Sequence, residues 1–331
     1  MEIVDEKIAK LIFSEIKKSK NILLAVHVSP DVDSLASVLA MDTVLERLRK
    51  KTKIISFGQI PPRFSYLYGV AKIEQADFSR VNLDQFELFI ALDCAAERMI
   101  TRSQYPSQFP DKFKIINIDH HLTNTKYGQI NLIVELSSTA EIIFELFKIW
   151  KIKIKKEQAQ LLLAGIFSDT GCFQYPLTTA NTLRNAADLI DNGACLNTEV
   201  LQLLRSYSLK TLKYWGRILD NLKIDDSGKF VWSTINLDEK EELGLDPVDI
   251  QEAANLFAPI VSGTEFGIIL IEENDGLTRG SLRSRDNFNV SALATEFGGG
   301  GHQRSAGFSL ELSLKEAEEK VLEIARKFIN Q

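Results

Sequence analysis

The chain has 331 residues, of which 45% are hydrophobic and 25% are charged, a composition typical of a globular protein with two domains. Its 39 lysines and arginines against 45 aspartates and glutamates give a net charge of −6, which argues against binding of long duplex nucleic acid. The N-terminus is charged, and no apolar run reaches the roughly 18 residues of a membrane span. We therefore expect a cytoplasmic protein with no membrane partner.

Short apolar runs alternate with amphipathic helical patterns in the first 193 residues. The runs are almost continuously apolar, as in strands covered on both faces, and lie at 21–28, 53–57, 86–93, 114–119 and 130–134. The helical patterns lie at 34–51, 137–151, 156–167 and 178–193. This alternation predicts an α/β domain with a doubly wound, largely parallel sheet.

The pattern changes after Gly193. One long amphipathic helix is predicted at 198–222, followed by strand pairs within 223–235 and 264–285 and by helices at 246–257, 289–297 and from 313 onward. These elements predict a second, smaller α+β domain. We expect the first domain to span 1–195, a helical linker 196–215 and the second domain 216–331.

The histidines mark the candidate chemistry because the chain has only four. Three of them, together with five aspartates, stand at or just beyond the ends of predicted strands and of one helix: His27, Asp31, Asp33, Asp93, Asp119, His120, His121 and Asp169. In a doubly wound sheet, groups at the carboxyl ends of the strands share one edge, so these side chains can converge.

Such a set of ligands suits divalent metal ions. Crowded carboxylates repel one another unless a cation joins them, and an Asp/His set without thiolates favours manganese or magnesium. Two histidines and four aspartates, with one shared carboxylate, would serve two ions that bridge a hydroxide and bind a phosphoryl oxygen. The predicted reaction is phosphoester hydrolysis.

Each candidate also has a purely structural interpretation. Asp31 could form only a turn, Asp169 could only cap the next segment, and His120 and His121 could be a packed, hydrogen-bonded pair. What favours a metal site is that four separate strand or helix ends each supply a ligand type.

The second domain carries a basic region. Residues 279–304 contain four arginines and no lysine, and alternation predicts that Arg279, Ser281 and Arg283 share a strand face. Arginine suits bidentate phosphate contacts, and the exposed backbone of Gly298–Gly301 beside His302 suits an anion. A flexible hinge is the alternative interpretation of the four glycines.

Five ordered motifs carry a resemblance that covers nearly the whole chain: HVSPDVDS, ALDCA, IDHH, SDTG and GGGGHQRSAG. In this order they resemble the DHH phosphoesterase superfamily with its DHH-associated C-terminal domain, and the two-domain size resembles its NrnA group of bifunctional oligoribonucleases and phosphatases of 3′-phosphoadenosine 5′-phosphate (pAp). The sequence departs from the family pattern at Val32, where glycine is usual, and at Ser305, where alanine is usual.

The resemblance implies roles for individual residues. One metal ion would be held by His27, Asp31 and Asp93, and the other by Asp33, His120, Asp169 and the shared Asp93. His121 would face the scissile phosphate, and Asp119 would orient a histidine. The substrate's far phosphate or nucleotide would be bound by Arg283, Arg285, Gly299, Gly300, Gly301, His302 and Arg304.

The resulting hypothesis is a two-metal phosphoesterase whose active-site cleft lies between the domains. Its substrates would be short oligoribonucleotides, linear dinucleotides and pAp, and its cofactors two divalent ions, with Mn²⁺ preferred over Mg²⁺ or Co²⁺. A homodimer is compatible with the sequence. The alternatives are a cyclic-dinucleotide phosphodiesterase, a RecJ-like single-strand exonuclease and, from a different class, a non-catalytic nucleotide- or RNA-binding protein.

Overall fold

The computed structural model describes residues 4–243, 253–285 and 288–329. The chain divides into two units, Met1–Ser206 and Tyr207–Gln331.

A six-stranded sheet forms the centre of the first unit, in the order β3-β2-β1-β4-β5-β6. Its strands are β1 (Asn21–Val26), β2 (Lys51–Ser56), β3 (Glu74–Gln75), β4 (Leu88–Leu92), β5 (Lys114–Asp119) and β6 (Ile130–Ile133). All five pairings are parallel, which confirms the predicted doubly wound α/β fold. The strand order reverses between the adjacent strands β1 and β4, and such a switch point is where sheets of this kind bind ligands.

Six α-helices and several short turns accompany this sheet. The helices are α1 (Glu6–Lys18), α2 (Val32–Arg47), α3 (Thr139–Ile149), α4 (Lys156–Asp169), α5 (Ala180–Asp191) and α6 (Leu196–Glu199). Short 3-10 turns lie at Pro62–Phe64, Val70–Lys72, Phe78–Arg80, Leu83–Gln85 and Glu97–Met99. Side-chain oxygens cap four of the helices at the N-terminus: those of Asp5, Asp31, Ser138 and Thr179.

Two of the predicted helices differ most from the helices in the structure. The helix predicted at 34–51 ends at Arg47, because Arg49 adopts a left-handed backbone with φ of 59° and Lys51 begins β2. The single helix predicted at 198–222 is wrong. The chain instead forms a π-helix at Val200–Leu204 and then α7 (Leu209–Asp220), since the Ser208 hydroxyl caps a new helix by accepting from the Thr211 N–H at 3.0 Å.

The second unit is built on another six-stranded sheet, in the order β11-β12-β10-β9-β8-β7. Its strands are β7 (Lys223–Ile224), β8 (Phe230–Ile235), β9 (Phe266–Asn274), β10 (Leu277–Ser284), β11 (Gly300–His302) and β12 (Ser305–Leu310), and its helices after α7 are α8 (Leu237–Leu243), α9 (Val290–Thr295) and α10 (Leu314–Phe328). The pairing of β8 with β9 is parallel and the others are antiparallel. The predicted α+β architecture is thus confirmed.

Both faces of the second sheet contribute to hydrophobic cores. One face packs Phe266, Leu282 and Phe308 with residues of α9 and α10. The other face packs Ile269 with Tyr214 of α7 and with residues 253–257. Residues 253–257 are helical, and the rest of the helix predicted at 246–257 lies outside the described residues.

Within the described residues, every helix is too short or too polar to cross a bilayer.

Candidate functional site

The eight His and Asp residues singled out in the sequence converge at the carboxyl edge of the first sheet. They form three overlapping groups whose potential ligand atoms lie within 4.8 Å of one another: His27, Asp31 and Asp93; Asp33, His120 and Asp169; and Asp93, Asp119, His120 and His121. These residues end β5, follow β1, β4 or β5, or belong to α2 or α4. The parallel topology therefore brings together segments that are distant in sequence.

Asp93 stands between two of these groups. Its Oδ2 lies 3.7 Å from Nε2 of His27, and its Oδ1 lies 3.6 Å from Nε2 of His120. Only 4% of the residue is exposed. Each oxygen of this one carboxylate therefore faces a different histidine.

The backbone of Asp93 is unusual for a residue with a side chain. Its φ is 59°, in the left-handed region that aspartate and asparagine tolerate better than most residues. Its N–H donates to the carbonyl of Ile118 at 3.0 Å, which ties the turn after β4 to β5. This turn directs the carboxylate back over the edge of the sheet.

The two aspartates near the start of α2 are held differently. Asp31 caps the helix with Oδ1, which accepts from the Ser34 N–H at 2.9 Å, while its Oδ2 lies 3.2 Å from Nε2 of His27. Asp31 can therefore cap the helix with one carboxylate oxygen and face the candidate metal site with the other. Asp33 is 1% exposed and accepts from the N–H groups of Thr139 and Ala140 at 2.8 and 3.0 Å. It therefore lies at the N-terminus of α3, where the helix dipole favours an anion.

His120 is oriented as a neutral ligand would be. Nδ1 lies 3.3 Å from the carbonyl of Leu136, to which it can donate, and this leaves Nε2 as an acceptor 3.4 Å from Oδ2 of Asp169. Burial, helped by the nearby His121, lowers the pKa of His120 to about 4. The ring is therefore uncharged near neutral pH.

His121 has the opposite environment. Its Nδ1 lies 2.8 Å from Oδ1 of Asp119, and this hydrogen bond raises the pKa of His121. Asp119 is fully buried, and its Oδ2 accepts from the side-chain amide of Asn124 at 2.6 Å. His121 is half exposed, so its far edge can meet a ligand that enters from solvent.

The candidate substrate-binding residues of the second unit lie on and beside β10, β11 and β12. Arg283, Ser305 and His302 stand opposite one another in the strand register. The Nε of Arg283 donates to Oδ1 of Asn255 at 2.6 Å, and Arg285 donates to the carbonyl of Val261. Arg304 lies in the two-residue turn between β11 and β12.

The glycine run is only partly a loop. Gly300 and Gly301 belong to β11, an edge strand paired with β12, while Gly298 follows α9 with a φ of 72°. A Cβ on Gly299 would come within 2.3 Å of the Gly307 carbonyl oxygen, so the close approach of the two segments requires glycine there. Half of the run therefore lies in the sheet, and the run is not a free hinge.

Each of the two units matches a known domain family. Residues 21–166 match the DHH family, N-terminal domain, and residues 227–331 match the DHHA1 domain. The chain thus contains a DHH domain followed by a DHHA1 domain.

Known DHH proteins resemble the chain along most of its length. It is 29% identical over 297 residues to the bifunctional oligoribonuclease and PAP phosphatase NrnA of Bacillus subtilis, covering 87% of this chain and 89% of that protein. It is 29% identical over 308 residues to the protein of the same name from Thermus thermophilus, covering 92% and 89%. The crystal structure of an exopolyphosphatase-related protein from Bacteroides fragilis covers 100% of both chains, with 23% identity and a TM-score of 0.88, which supports the same fold.

The carboxylates of this DHH site strongly disfavour one another without a cation. Burial, with repulsion from Asp33 and Asp31, raises the pKa of Asp93 well above its usual range, and burial with repulsion from Asp33 does the same for Asp169. Burial and the charge of Asp31 raise the pKa of Asp33 to about 7. In the described part of the chain, no lysine or arginine forms an ion pair with these three carboxylates. The donor set and its uncompensated charge thus fit divalent metal ions.

Two residues of this DHH site escaped the sequence analysis. The hydroxyl of Thr139 donates to Oδ1 of Asp93 at 3.0 Å, and Asn124 holds Asp119. The only signal for Thr139 was its position at the start of the helix predicted at 137–151. Asn124 follows the histidine pair closely in sequence, but nothing in that spacing indicated a buried contact to Asp119.

Proposed function

We propose that this DHH-family chain is a metal-dependent phosphoesterase that hydrolyses short oligoribonucleotides and linear dinucleotides and also removes a phosphate from pAp. The observation that carries the proposal is the position of Asp93, whose two oxygens face the two histidines of two different ligand sets. The substrate class is supported by the resemblance of the chain, over most of its length, to relatives named for oligoribonuclease and PAP phosphatase activity.

Two ligand sets would hold two divalent ions, with Mn²⁺ the first candidate. His27, Asp31 and Asp93 would hold one ion, and Asp33, His120, Asp169 and the shared Asp93 the other. Bound ions at such a site neutralise phosphate charge and lower the pKa of water, which is the chemistry that phosphoester hydrolysis requires. A single shared carboxylate makes the two ligand sets interdependent.

His121 would contact the phosphate that is cut. Its Nδ1 is engaged by Asp119, so a proton on Nε2 is available to donate a hydrogen bond to a phosphoryl oxygen. The hydrogen bond to Asp119 favours the protonated ring, and Asn124 fixes Asp119 in turn. Asp119 therefore acts as a positioning residue for His121.

The second unit would hold a part of the substrate that is not cut. Arg283, Arg285, Arg304 and His302 offer charged or polar groups for a distant phosphate, and Gly299, Gly300 and Gly301 leave the backbone accessible. Binding energy from a remote group improves the positioning of the reacting group, so short substrates that reach these residues should be preferred. The net charge of −6 agrees with substrates that do not rely on a long phosphate backbone.

A substrate panel tests this function. Protein reconstituted with Mn²⁺ is incubated with pAp, the linear dinucleotide pApA, a five-residue oligoribonucleotide, a cyclic dinucleotide, a five-residue oligodeoxynucleotide and pyrophosphate, and initial rates are compared. We expect pAp, pApA and the oligoribonucleotide to be cut fastest. Preference for the cyclic dinucleotide or for DNA would replace the proposal with the corresponding alternative, and tight binding without turnover would indicate a non-catalytic protein. Asp93→Asn is the control for contaminating nucleases.

A further inference from the structure

The sheet of the second unit carries a row of polar and glycine residues on one face of β10, β12 and β11, here called the polar strip. The register orders it in three cross-strand rows: Arg283, Ser305 and His302; then Ser281, Gly307 and Gly300; then Arg279 and Ser309. Residues opposite one another in antiparallel strands point to the same face. The intervening Leu282, Ala306 and Phe308 are buried in the core on the other face.

A cavity of about 810 Å³ lies over the end of the polar strip that is far from Arg283. Its lining includes Arg279, Ser309, Gly307, Gly300 and Glu273. This volume lies within the range of small-ligand pockets, roughly 300 to 1,000 Å³. The strip therefore continues beyond the candidate anchors Arg283 and His302 into a space that can hold another chemical group.

The charge at this end of the strip is positive and uncompensated. Arg279 is exposed and makes no hydrogen bond or ion pair with the described residues. The acidic side chain at the rim, Glu273, is already paired with Nζ of Lys240 at 2.5 Å. Arg279 is thus free to bind an anion that enters the cavity.

The middle row contributes the hydroxyl of Ser281 and two glycines, Gly307 and Gly300, that have no side chain. Ser281 is 9% exposed and makes no hydrogen bond with the described residues, although it lies between Arg279 and Arg283 on the same face. Its hydroxyl is therefore available to donate or accept a hydrogen bond with a ligand that lies along the strip. A Cβ on Gly300 would meet no atom within 4 Å, so the space above this glycine is open for a sugar or a base.

We propose that Arg279, Ser281 and Ser309 form a subsite for a further nucleotide of a single-stranded oligoribonucleotide whose other contacts are made at Arg283 and His302. The proposal rests on the proposed function and extends it to substrate length. Arg279 and Arg283 are four residues apart on one strand, a distance of about 13 Å at roughly 3.3 Å per residue. This backbone separation exceeds that of the two phosphates of one nucleotide, so the proposal assigns pAp to Arg283 and a further nucleotide to Arg279.

The subsite is tested by comparing substrates of different length. Arg279→Ala should lower kcat/KM for a five-residue oligoribonucleotide roughly tenfold, which corresponds to about 1.4 kcal/mol, because a hydrogen bond to a charged phosphate is lost. Hydrolysis of pAp by the same variant should be unchanged. Arg279→Lys should restore part of the loss, and Lys320→Ala, which removes an exposed charge from α10 on the opposite side of the sheet, should affect neither substrate.

Binding provides a second readout that needs no catalysis. A fluorescent five-residue oligoribonucleotide is titrated into the full-length protein in EDTA at several salt concentrations. Loss of one phosphate contact should reduce the slope of log Kd against log salt by about 0.7 in Arg279→Ala. Thermal unfolding of each variant shows whether the fold is intact.

The outcomes separate the subsite from the proposed function. An equal effect of Arg279→Ala on pAp and the oligoribonucleotide, or no effect on either, with an unchanged salt slope, overturns the subsite while leaving the phosphoesterase proposal intact. If the wild-type protein cuts none of the substrates, the proposed function fails and the titration alone decides whether Arg279 binds the oligonucleotide.

Discussion

Thr139 donates a hydrogen bond from its hydroxyl to Oδ1 of Asp93 at 3.0 Å, and it is the first residue of α3. Its backbone N–H also donates to Oδ2 of Asp33 at 2.8 Å. One residue thus orients the carboxylate proposed to be shared by both ligand sets and a second carboxylate, Asp33, of one set. Groups that orient metal ligands usually affect metal affinity or activity about 10- to 100-fold.

We expect Thr139→Val to lower kcat/KM for pApA by roughly tenfold, because the substitution removes the hydroxyl and keeps both the size and the backbone N–H. Thr139→Ser keeps the hydroxyl and should retain most of the activity. The two variants are compared under saturating Mn²⁺ and again at limiting Mn²⁺. Equal activity of the two variants would show that the hydroxyl does not orient Asp93.

Asp93→Asn and Asp93→Ala should both lose more than about 100-fold in kcat/KM, because the shared carboxylate is removed. Their stabilities should differ, since alanine in the left-handed region at φ of 59° costs about 1 to 2 kcal/mol and asparagine is tolerated there. Thermal unfolding in EDTA measures this difference. Identical unfolding temperatures would indicate that the backbone relaxes when the side chain changes.

The two adjacent histidines should respond differently to substitution. His120→Ala removes a proposed ligand and should lower the metal content of the purified protein. His121→Ala should keep the metals and lower kcat, because His121 is proposed to contact the phosphate. Metal analysis together with steady-state kinetics distinguishes the two, and metal loss in His121→Ala would reverse the roles assigned to the pair.

Metal removal should destabilise the fold because the buried carboxylates of Asp33, Asp93 and Asp169 repel one another. A ligand at 100 times its Kd adds about 2.7 kcal/mol to the free energy of unfolding, which for a unit of this size corresponds to roughly 5 to 10 °C. Differential scanning calorimetry with EDTA and with excess Mn²⁺ measures the shift. Asp93→Asn should show a clearly smaller one, and an unchanged unfolding temperature in wild type would contradict a stabilising metal site.

Glu199 should make the first unit less stable as the pH rises. It is fully buried, accepts from the Gln160 amide at 2.5 Å and from the Tyr66 hydroxyl at 3.3 Å, and burial raises its pKa. The folded state therefore holds this proton more tightly than the unfolded state, so the stabilisation is complete below the unfolded pKa of about 4.3 and is lost as the pH rises through the folded pKa.

Glu199→Gln removes this titration and should reduce the fall in unfolding temperature between pH 5 and pH 8. Glu135→Gln, at an exposed position of the same unit, should leave the fall unchanged. The result would go against a raised pKa of Glu199 in the folded state if both variants behaved like the wild type.

The sequence was sufficient to predict the sheet of the first unit and the edge at which the aspartates and histidines meet. Strands covered on both faces appear in the sequence as uninterrupted apolar runs, as at Leu88–Leu92. The parallel topology then determines which strand ends lie at the same edge of the sheet. The two-residue strand β3 is too short to leave a pattern, and α1 was not predicted although Asp5 caps it.

Features that depend on tertiary contacts could not be predicted from the sequence. Gly300–His302 becomes a strand only by pairing with β12, which local preferences for glycine would not suggest. The contact of Thr139 with Asp93 joins residues that are 46 positions apart in the sequence. The left-handed backbone of Asp93 is not indicated by the residue types on either side of it. The break before α7 was visible in principle, because Ser208 and Thr211 have the spacing of a helix cap.

The left-handed conformation of Asp93 also limits how this protein can evolve. Of the residues that fit such a backbone without strain, asparagine and glycine are each one nucleotide change from an aspartate codon. A single mutation can therefore remove the carboxylate that we propose to be shared by two metal ions while preserving the fold. A protein that binds nucleotides without hydrolysing them could thus arise from this one by a single substitution. Asn or Gly at the position of Asp93 is the sequence change expected in such a protein.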